Sequence, residues 1–143
     1  MSHLGLCLEP QLALLPMPKV SHVLVDDDEC VHMGWRMCAR ARNIPIRIYS
    51  SPQDFLEDIS EYDHSTTFFV DYDMKTEING IDLARIIKRK LSAEVILCTG
   101  HPSSMFDEFI AAKVIDRVSG KEFIAHEYVG QSNNKQGVAS HEF

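Results

Sequence analysis

The feature that most restricts how this chain can fold is an alternation, repeated five times, between a short run of strand composition and a stretch with helical spacing. The runs are HVLV at 22–25, IRIY at 46–49, TFFV at 67–70, EVIL at 94–97 and VIDRV at 114–118. β-Branched and aromatic residues fit a pleated surface, and runs that are almost continuously apolar suit strands buried on both faces. After the runs come apolar residues at helical intervals: Val31, Trp35 and Cys38; Phe55, Leu56 and Ile59; Leu83, Ile86, Ile87 and Leu91. The series continues with Met105, Phe106, Phe109 and Ile110, then Phe123, Ile124 and Tyr128. Parallel strands need crossovers between them, and right-handed helical crossovers cover both faces of the sheet. The expectation is a doubly wound α/β domain on a five-stranded parallel sheet. Ser50, Ser51 and Pro52 supply the cap and first turn of the second helix, and Asn79-Gly80 marks the turn into the third. Gly130 ends the last apolar spacing early, so the fifth helix is expected to be short.

A chain of 143 residues, 45% of them hydrophobic, has material for one core and one domain, expected over residues 21–129. Residues 1–20 carry Pro10, Pro16 and Pro18 among Leu and Met, a pattern for an N-terminal arm. Residues 130–143, GQSNNKQGVASHEF, offer little apolar area and are expected to form a flexible tail or the start of a linker. Fourteen Lys and Arg against 21 Asp and Glu leave a formal charge of −7, which repels a phosphate backbone or an anionic membrane surface. Direct nucleic-acid binding is not expected, and Lys88-Arg89-Lys90 is better placed as a cation group near a helix C-terminus. The uncharged run from Pro10 to Met17 is too short to span a bilayer, and no Lys or Arg precedes Lys19 to start an export signal. Among the four cysteines there is no CxxC pair, and Cys30 and Cys98 are expected to pack as small hydrophobes in a reducing cytoplasm. Neither His126-Glu127 nor His141-Glu142 extends into the HExxH spacing of a zinc site.

In open parallel sheets ligands bind beyond the carboxyl ends of the strands. Here the first run ends in Asp26-Asp27-Asp28-Glu29, the third in Asp71 with Tyr72 and Asp73, and the fourth in Thr99-Gly100, while Ser119-Gly120-Lys121 follows the fifth. Taken singly, an acidic run is usually a solvated face, and each of the others has an ordinary reading as a cap, a turn hydroxyl or a surface charge. Together they place carboxylates, a hydroxyl and an ammonium at one edge. Carboxylates from two strands with a backbone carbonyl form a hard oxygen site suited to Mg²⁺. A lone carboxylate can then attack phosphorus while the metal and a lysine neutralise charge on the equatorial oxygens.

Over residues 20–128 this constellation resembles the receiver domain of two-component response regulators. The acid pair of that family matches Asp26 and Asp27 in VLVDDDE, its phosphoacceptor matches Asp71 in TTFFVDYDM, its switch hydroxyl Thr99 in VILCTG, and its lysine Lys121 in RVSGKEF. The intervals of 45, 28 and 22 residues from Asp26 to Asp71, Asp71 to Thr99 and Thr99 to Lys121 are close to those of the family. The resemblance implies a flavodoxin-like sheet in the order 2-1-3-4-5. It also implies an Mg²⁺ cofactor held by Asp26 (directly or through water), Asp27, Asp71 and the main-chain oxygen of Asp73, with Asp71, Thr99 and Lys121 carrying the phosphoryl chemistry. Implied partners are a histidine kinase or phosphotransfer protein and a downstream effector or output domain reached by protein contacts or by sequence beyond Phe143; a homodimer is compatible. Asp73 and His101 match positions that face the phosphoryl group, and a protonated His101 could pair with Asp73; His101 also has a plain alternative as a cap ahead of Pro102. Three positions depart from the pattern: Glu122 replaces the usual proline, which removes its cis peptide; Val118 replaces an aromatic; and Lys75 replaces a common proline in a loop one residue longer.

Two other readings belong beside this one. A receiver-like module that never cycles its phosphate would serve as a fixed protein-binding surface, and Glu122 and Val118 favour it. FFVDYDMKT also approximates the DxDx[TV] opening of haloacid-dehalogenase-type phosphatases. In those enzymes the second acid group follows the lysine, whereas here the acid pair precedes Asp71 and only Glu122, Glu127 and Glu142 follow Lys121.

Overall fold

The computed structural model describes residues 19–121. The proline-rich arm up to residue 18, the apolar spacing of Phe123, Ile124 and Tyr128, the Glu122 position and the 130–143 tail lie outside the described residues. Five strands form one parallel sheet: β1 (His22–Val25), β2 (Ile46–Tyr49), β3 (Thr67–Asp71), β4 (Glu94–Cys98) and β5 (Arg117–Ser119), in the order β2-β1-β3-β4-β5. Four helices lie between them: α1 (Glu29–Arg42), α2 (Pro52–Asp58), α3 (Gly80–Leu91) and α4 (Asp107–Ala111), with 3₁₀ turns at Ile59–Glu61 and Ser103–Phe106.

Period-two alternation along the strands builds two apolar layers. Val23, Val25, Phe68, Val70, Val95 and Leu97 face one side, where they pack with Phe55 of α2 and Leu83, Ala84 and Ile87 of α3. Leu24, Phe69, Ile96 and Cys98 face the other, against Trp35, Cys38 and Ala39 of α1. Trp35 meets Phe69 edge-on at 4.8 Å between ring centroids, the packing role its spacing implied. Each fully buried Leu or Phe contributes about 1.5–3 kcal/mol, against less than about 1 kcal/mol for an exposed ion pair such as Arg117–Glu94. The apolar layers therefore hold the sheet, and the rim pairs trim it.

Helix boundaries follow the cap residues. Ser51 caps α2 by accepting from the Asp54 N–H, with Pro52 in the first turn. Asn79 closes a capping box with Asp82, and α3 ends in Lys88, Arg89 and Lys90, where cations suit the helix dipole. Asn79-Gly80 is thus a cap followed by the first helical residue. Gly80 is required by space, because a Cβ there would lie 2.7 Å from the Asp71 carbonyl oxygen and 2.8 Å from Leu97 Cδ1.

Three expectations are corrected. The fifth strand spans 117–119 rather than 114–118, since the N–H groups of Val114 and Ile115 return to the Phe109 carbonyl and close the end of α4 before strand pairing begins. The fourth helical stretch is divided into a 3₁₀ turn and a short helix, which leaves Met105 and Ile110 exposed although Phe106 is buried. Cys30 lies exposed in the first turn of α1; Cys38 and Cys98 are the buried thiols. Among the described residues no helix is long and apolar enough to cross a membrane.

Candidate functional site at the carboxyl edge of the sheet

Strand pairing carries the chain to Asp26, whose N–H donates to the Tyr49 carbonyl at 3.0 Å. The chain then turns into α1, with Asp28 as N-cap accepting from the Cys30 N–H and itself donating its N–H to Asp26 Oδ1, both at 2.8 Å. This turn leaves Asp26 fully buried and Asp27 exposed. On the neighbouring strand Asp71 is the last residue of β3 and is also fully buried. Its Oδ1 accepts from Lys121 Nζ and from the Asp73 N–H, each at 3.1 Å. Lys121 Nζ also lies 3.8 Å from Asp26 Oδ2. The register Asp71–Cys98–Ser119 puts Thr99 and Lys121 just beyond the same edge, and Thr99 Oγ1 accepts from the His101 N–H at 3.0 Å.

Ligand oxygens of Asp26, Asp27 and Asp71 lie within 4.8 Å of one another. Asp26 Oδ2 and Asp71 Oδ2 are buried without a hydrogen-bond partner. Buried carboxylate oxygens are costly unless something cationic or hydrogen-bonding satisfies them. A small divalent cation would do so, and an all-oxygen anionic donor set fits Mg²⁺ rather than a softer metal.

Comparison with known proteins gives one kind of match. No family model matches the sequence, and no curated protein matches it. Solved structures do. The receiver domain of Francisella response regulator 1452 superposes with a TM-score of 0.66 at 18% identity, covering 80% of this chain and 94% of that one. The fold is that of a receiver domain. A LuxR-family DNA-binding response regulator from Staphylococcus aureus aligns at 20% identity and TM-score 0.64 over 81% of this chain and 100% of that chain. The response regulator TrrA of Thermotoga maritima, solved in complex with Mg²⁺-BeF, aligns at 18% identity and TM-score 0.64 over 84% and 100% of the two chains. The receiver fold thus spans most of this chain and nearly all of theirs.

Within this receiver fold the electrostatics are set by burial. Desolvation is the main cause that raises the Asp26 carboxyl to about 6, against the opposing Asp28 N–H, with the Asp71 charge adding to the rise. Burial likewise raises Asp71 from its ordinary value, although Lys121 and the Asp73 N–H pull it down. For Lys121 burial acts downward but is outweighed by the hydrogen bond to Asp71 and the charge of Asp26, so its ammonium is held more firmly than usual.

Asp73 is brought to the rim, where its carboxylate meets His101 Nε2 at 3.2 Å. Its side chain is not among the clustered ligand oxygens. His101 makes no cap, since the 3₁₀ turn that follows begins at Ser103 with Pro102 as its N-cap and no side-chain cap bond. Tyr72, next to Asp71, packs edge-on against both His101 and Phe106, at 5.6 and 5.0 Å between ring centroids. Two residues acquire a place at the site only in the structure: Gly80, a turn residue by sequence whose close approach to the Asp71 backbone the fold reveals, and His32, buried on α1 with Nε2 2.5 Å from the Asp26 carbonyl oxygen. His32 lies three residues before Trp35 on the inward face of α1, a spacing that was available as a signal.

Proposed function

We propose that this protein is a phosphorylation-controlled signalling switch whose Asp71 accepts a phosphoryl group from a histidine kinase or phosphotransfer protein. The observation that carries this reading is the state of Asp71: buried at a strand end, one oxygen held by Lys121, the other without a partner, and two further carboxylates beside it. Asp71 forms a bond from a carboxylate oxygen to phosphorus as the bond from phosphorus to the donor nitrogen breaks, and the donor leaves with the electron pair. Asp26, Asp27, Asp71 and the main-chain oxygen of Asp73 would hold Mg²⁺, which supplies positive charge against the oxygens of the phosphoryl group. Lys121, already 3.1 Å from Asp71, stays as the fixed cation on the product. Thr99 Oγ1 accepts from the His101 N–H and keeps its own O–H to donate to a phosphoryl oxygen, and the turn of that hydroxyl toward the phosphoryl group is the conformational signal. A downstream effector or output domain reads the change by protein contact. The free thiols of Cys30, Cys38 and Cys98 support a reducing compartment, the cytoplasm.

Incubation with Mg²⁺ and acetyl phosphate tests the proposal. A mass gain of one phosphoryl group is expected in the wild type and its absence in Asp71→Asn; an unmodified wild type leaves the non-cycling binding module as the better reading. The phosphatase reading is not favoured, because the acids beside Asp71 come from the end of β1, ahead of it in the chain.

Two further outcomes follow from the geometry. Lys121→Ala is expected to keep the fold and the Mg²⁺ site but to separate phosphorylation from the conformational change, since its ammonium bonds Asp71 and contributes little packing. Equal conformational responses to phosphorylation in mutant and wild type, compared by amide hydrogen exchange, would remove Lys121 from the coupling. His101→Ala frees Asp73 from its 3.2 Å pair at the mouth of the site and is expected to change the lifetime of phospho-Asp71. An unchanged half-life in this variant would assign the pair to the surface alone.

A further inference from the structure

We propose that His32 is a positioning residue for the acid pair: its imidazole clamps the peptide between Asp26 and Asp27 and thereby sets the affinity of the site for Mg²⁺. The metal part of this inference rests on the function proposed above; the clamp itself does not. His32 is 2% exposed, one turn into α1, and its own N–H makes the first-turn helical bond to the Asp28 carbonyl. Its Nε2 lies 2.5 Å from the Asp26 carbonyl oxygen. A carbonyl only accepts, so Nε2 carries the proton and donates. Nδ1 lies on the side of Glu29, 3.8 Å from its carboxylate.

The place of this bond gives it its consequence. The β1–β3 ladder ends at the pair Val25–Val70, so the Asp26 carbonyl lies beyond the last paired position and a side chain from α1 takes the role of a strand partner. Asp26 is otherwise fixed through its N–H to Tyr49 and its Oδ1 to the Asp28 N–H. The peptide between Asp26 and Asp27 is planar and trans, so the direction of the Asp26 carbonyl also fixes the opposite direction of the Asp27 N–H. Holding one plane orients the departure of both acidic side chains. Without the imidazole, the Asp26 carbonyl loses the bond that sets its direction, and the peptide plane can tilt between its pinned neighbours so that the clustered oxygens of Asp26, Asp27 and Asp71 lose their common focus.

The test compares wild type, His32→Leu and His32→Gln. Mg²⁺ binding is measured by titration calorimetry, and the amide resonances of Asp27 and Asp28 are recorded in metal-free protein. His32→Leu is expected to weaken Mg²⁺ by about 10- to 100-fold, the usual effect of removing a group that orients a metal ligand, and to move both amides. His32→Gln also lacks the ring but keeps an N–H at similar reach, so it is expected to restore both readouts. Wild-type affinity and amide positions in a folded His32→Leu protein overturn the proposal, and so does a folded His32→Gln protein that behaves as the leucine variant does. Should the leucine variant fail to fold, the wild type decides: a slowly exchanging proton on His32 Nε2 is expected, and a proton on Nδ1 instead overturns the clamp. If the wild type itself binds no Mg²⁺, the proposed function falls, while the metal-free amides of the glutamine and leucine variants still decide whether His32 holds the peptide.

Discussion

Alanine at position 27 is expected to abolish Mg²⁺ binding and, with it, phosphorylation of Asp71. Asp27 is the exposed member of the three clustered carboxylates, and the other two are fully buried. With Lys121 ionised, three carboxylates leave the pocket with a net charge of −2, and losing one leaves −1. Mg²⁺ gives up its water reluctantly and needs anionic oxygens to compensate, so the loss of a carboxylate that lies toward solvent removes the group best placed to draw the ion in. Because Asp27 is exposed, the fold is expected to survive the substitution. Calorimetric titration with Mg²⁺ and mass measurement after acetyl phosphate treatment are the readouts. An affinity equal to that of the wild type would show that the metal is held elsewhere.

The second large effect concerns stability without metal. Folded Asp26 keeps its proton up to a pH of about 6, whereas an unfolded aspartate releases it near 3.8. Between those values the folded state binds more protons than the unfolded state, so stability falls as pH rises through this window and the cost is complete above it. A shift of this size corresponds to about 3 kcal/mol. Asp26→Asn keeps an oxygen for the Asp28 N–H but cannot ionise. In metal-free buffer the variant is therefore expected to be more stable than the wild type by up to about 3 kcal/mol above pH 6, with the difference closing toward pH 3.8. Denaturant titrations at several pH values check this. A difference that does not change with pH would mean that burial of this carboxylate is not what strains the apo protein. Saturating Mg²⁺ is expected to reverse the order, since the ion stabilises the ionised wild-type site and not the amide.

These effects share an origin. β1 and β3 lead into acids that the fold buries, Asp26 and Asp71, so the pocket is destabilised until a further cation enters. Function and instability lie at the same edge because the parallel strands all end there and the helices that follow them start there.

Much of this was legible in the chain. Four strands start where their β-branched and aromatic runs start, and α1, α2 and α3 carry their buried residues at the expected spacing. Runs buried on both faces have little freedom in composition, so the pattern identifies them. The acids, hydroxyl and lysine were visible as strand-end residues, and the fold brings Asp26, Asp27, Asp71, Thr99 and Lys121 to one edge. The fifth strand and fourth helix were read less well, because VIDRV and the Met105–Ile110 spacing are apolar segments at the end of the sheet. There the return of Val114 and Ile115 to Phe109 competes with strand pairing.

What the sequence alone determined is the order of elements and the chemistry at the strand ends, since hydrophobic period and residue type are local properties. What only the tertiary structure decided is which carboxylates lose their water and which atoms meet across the edge. Asp26 is raised and Asp27 exposed although they are neighbours, His101 turns to Asp73 rather than capping a helix, and His32 reaches the Asp26 carbonyl from the inside of α1. Burial and contact between residues far apart in the chain arise only when helices close over the sheet, and desolvation follows from that closure rather than from the identity of any one residue.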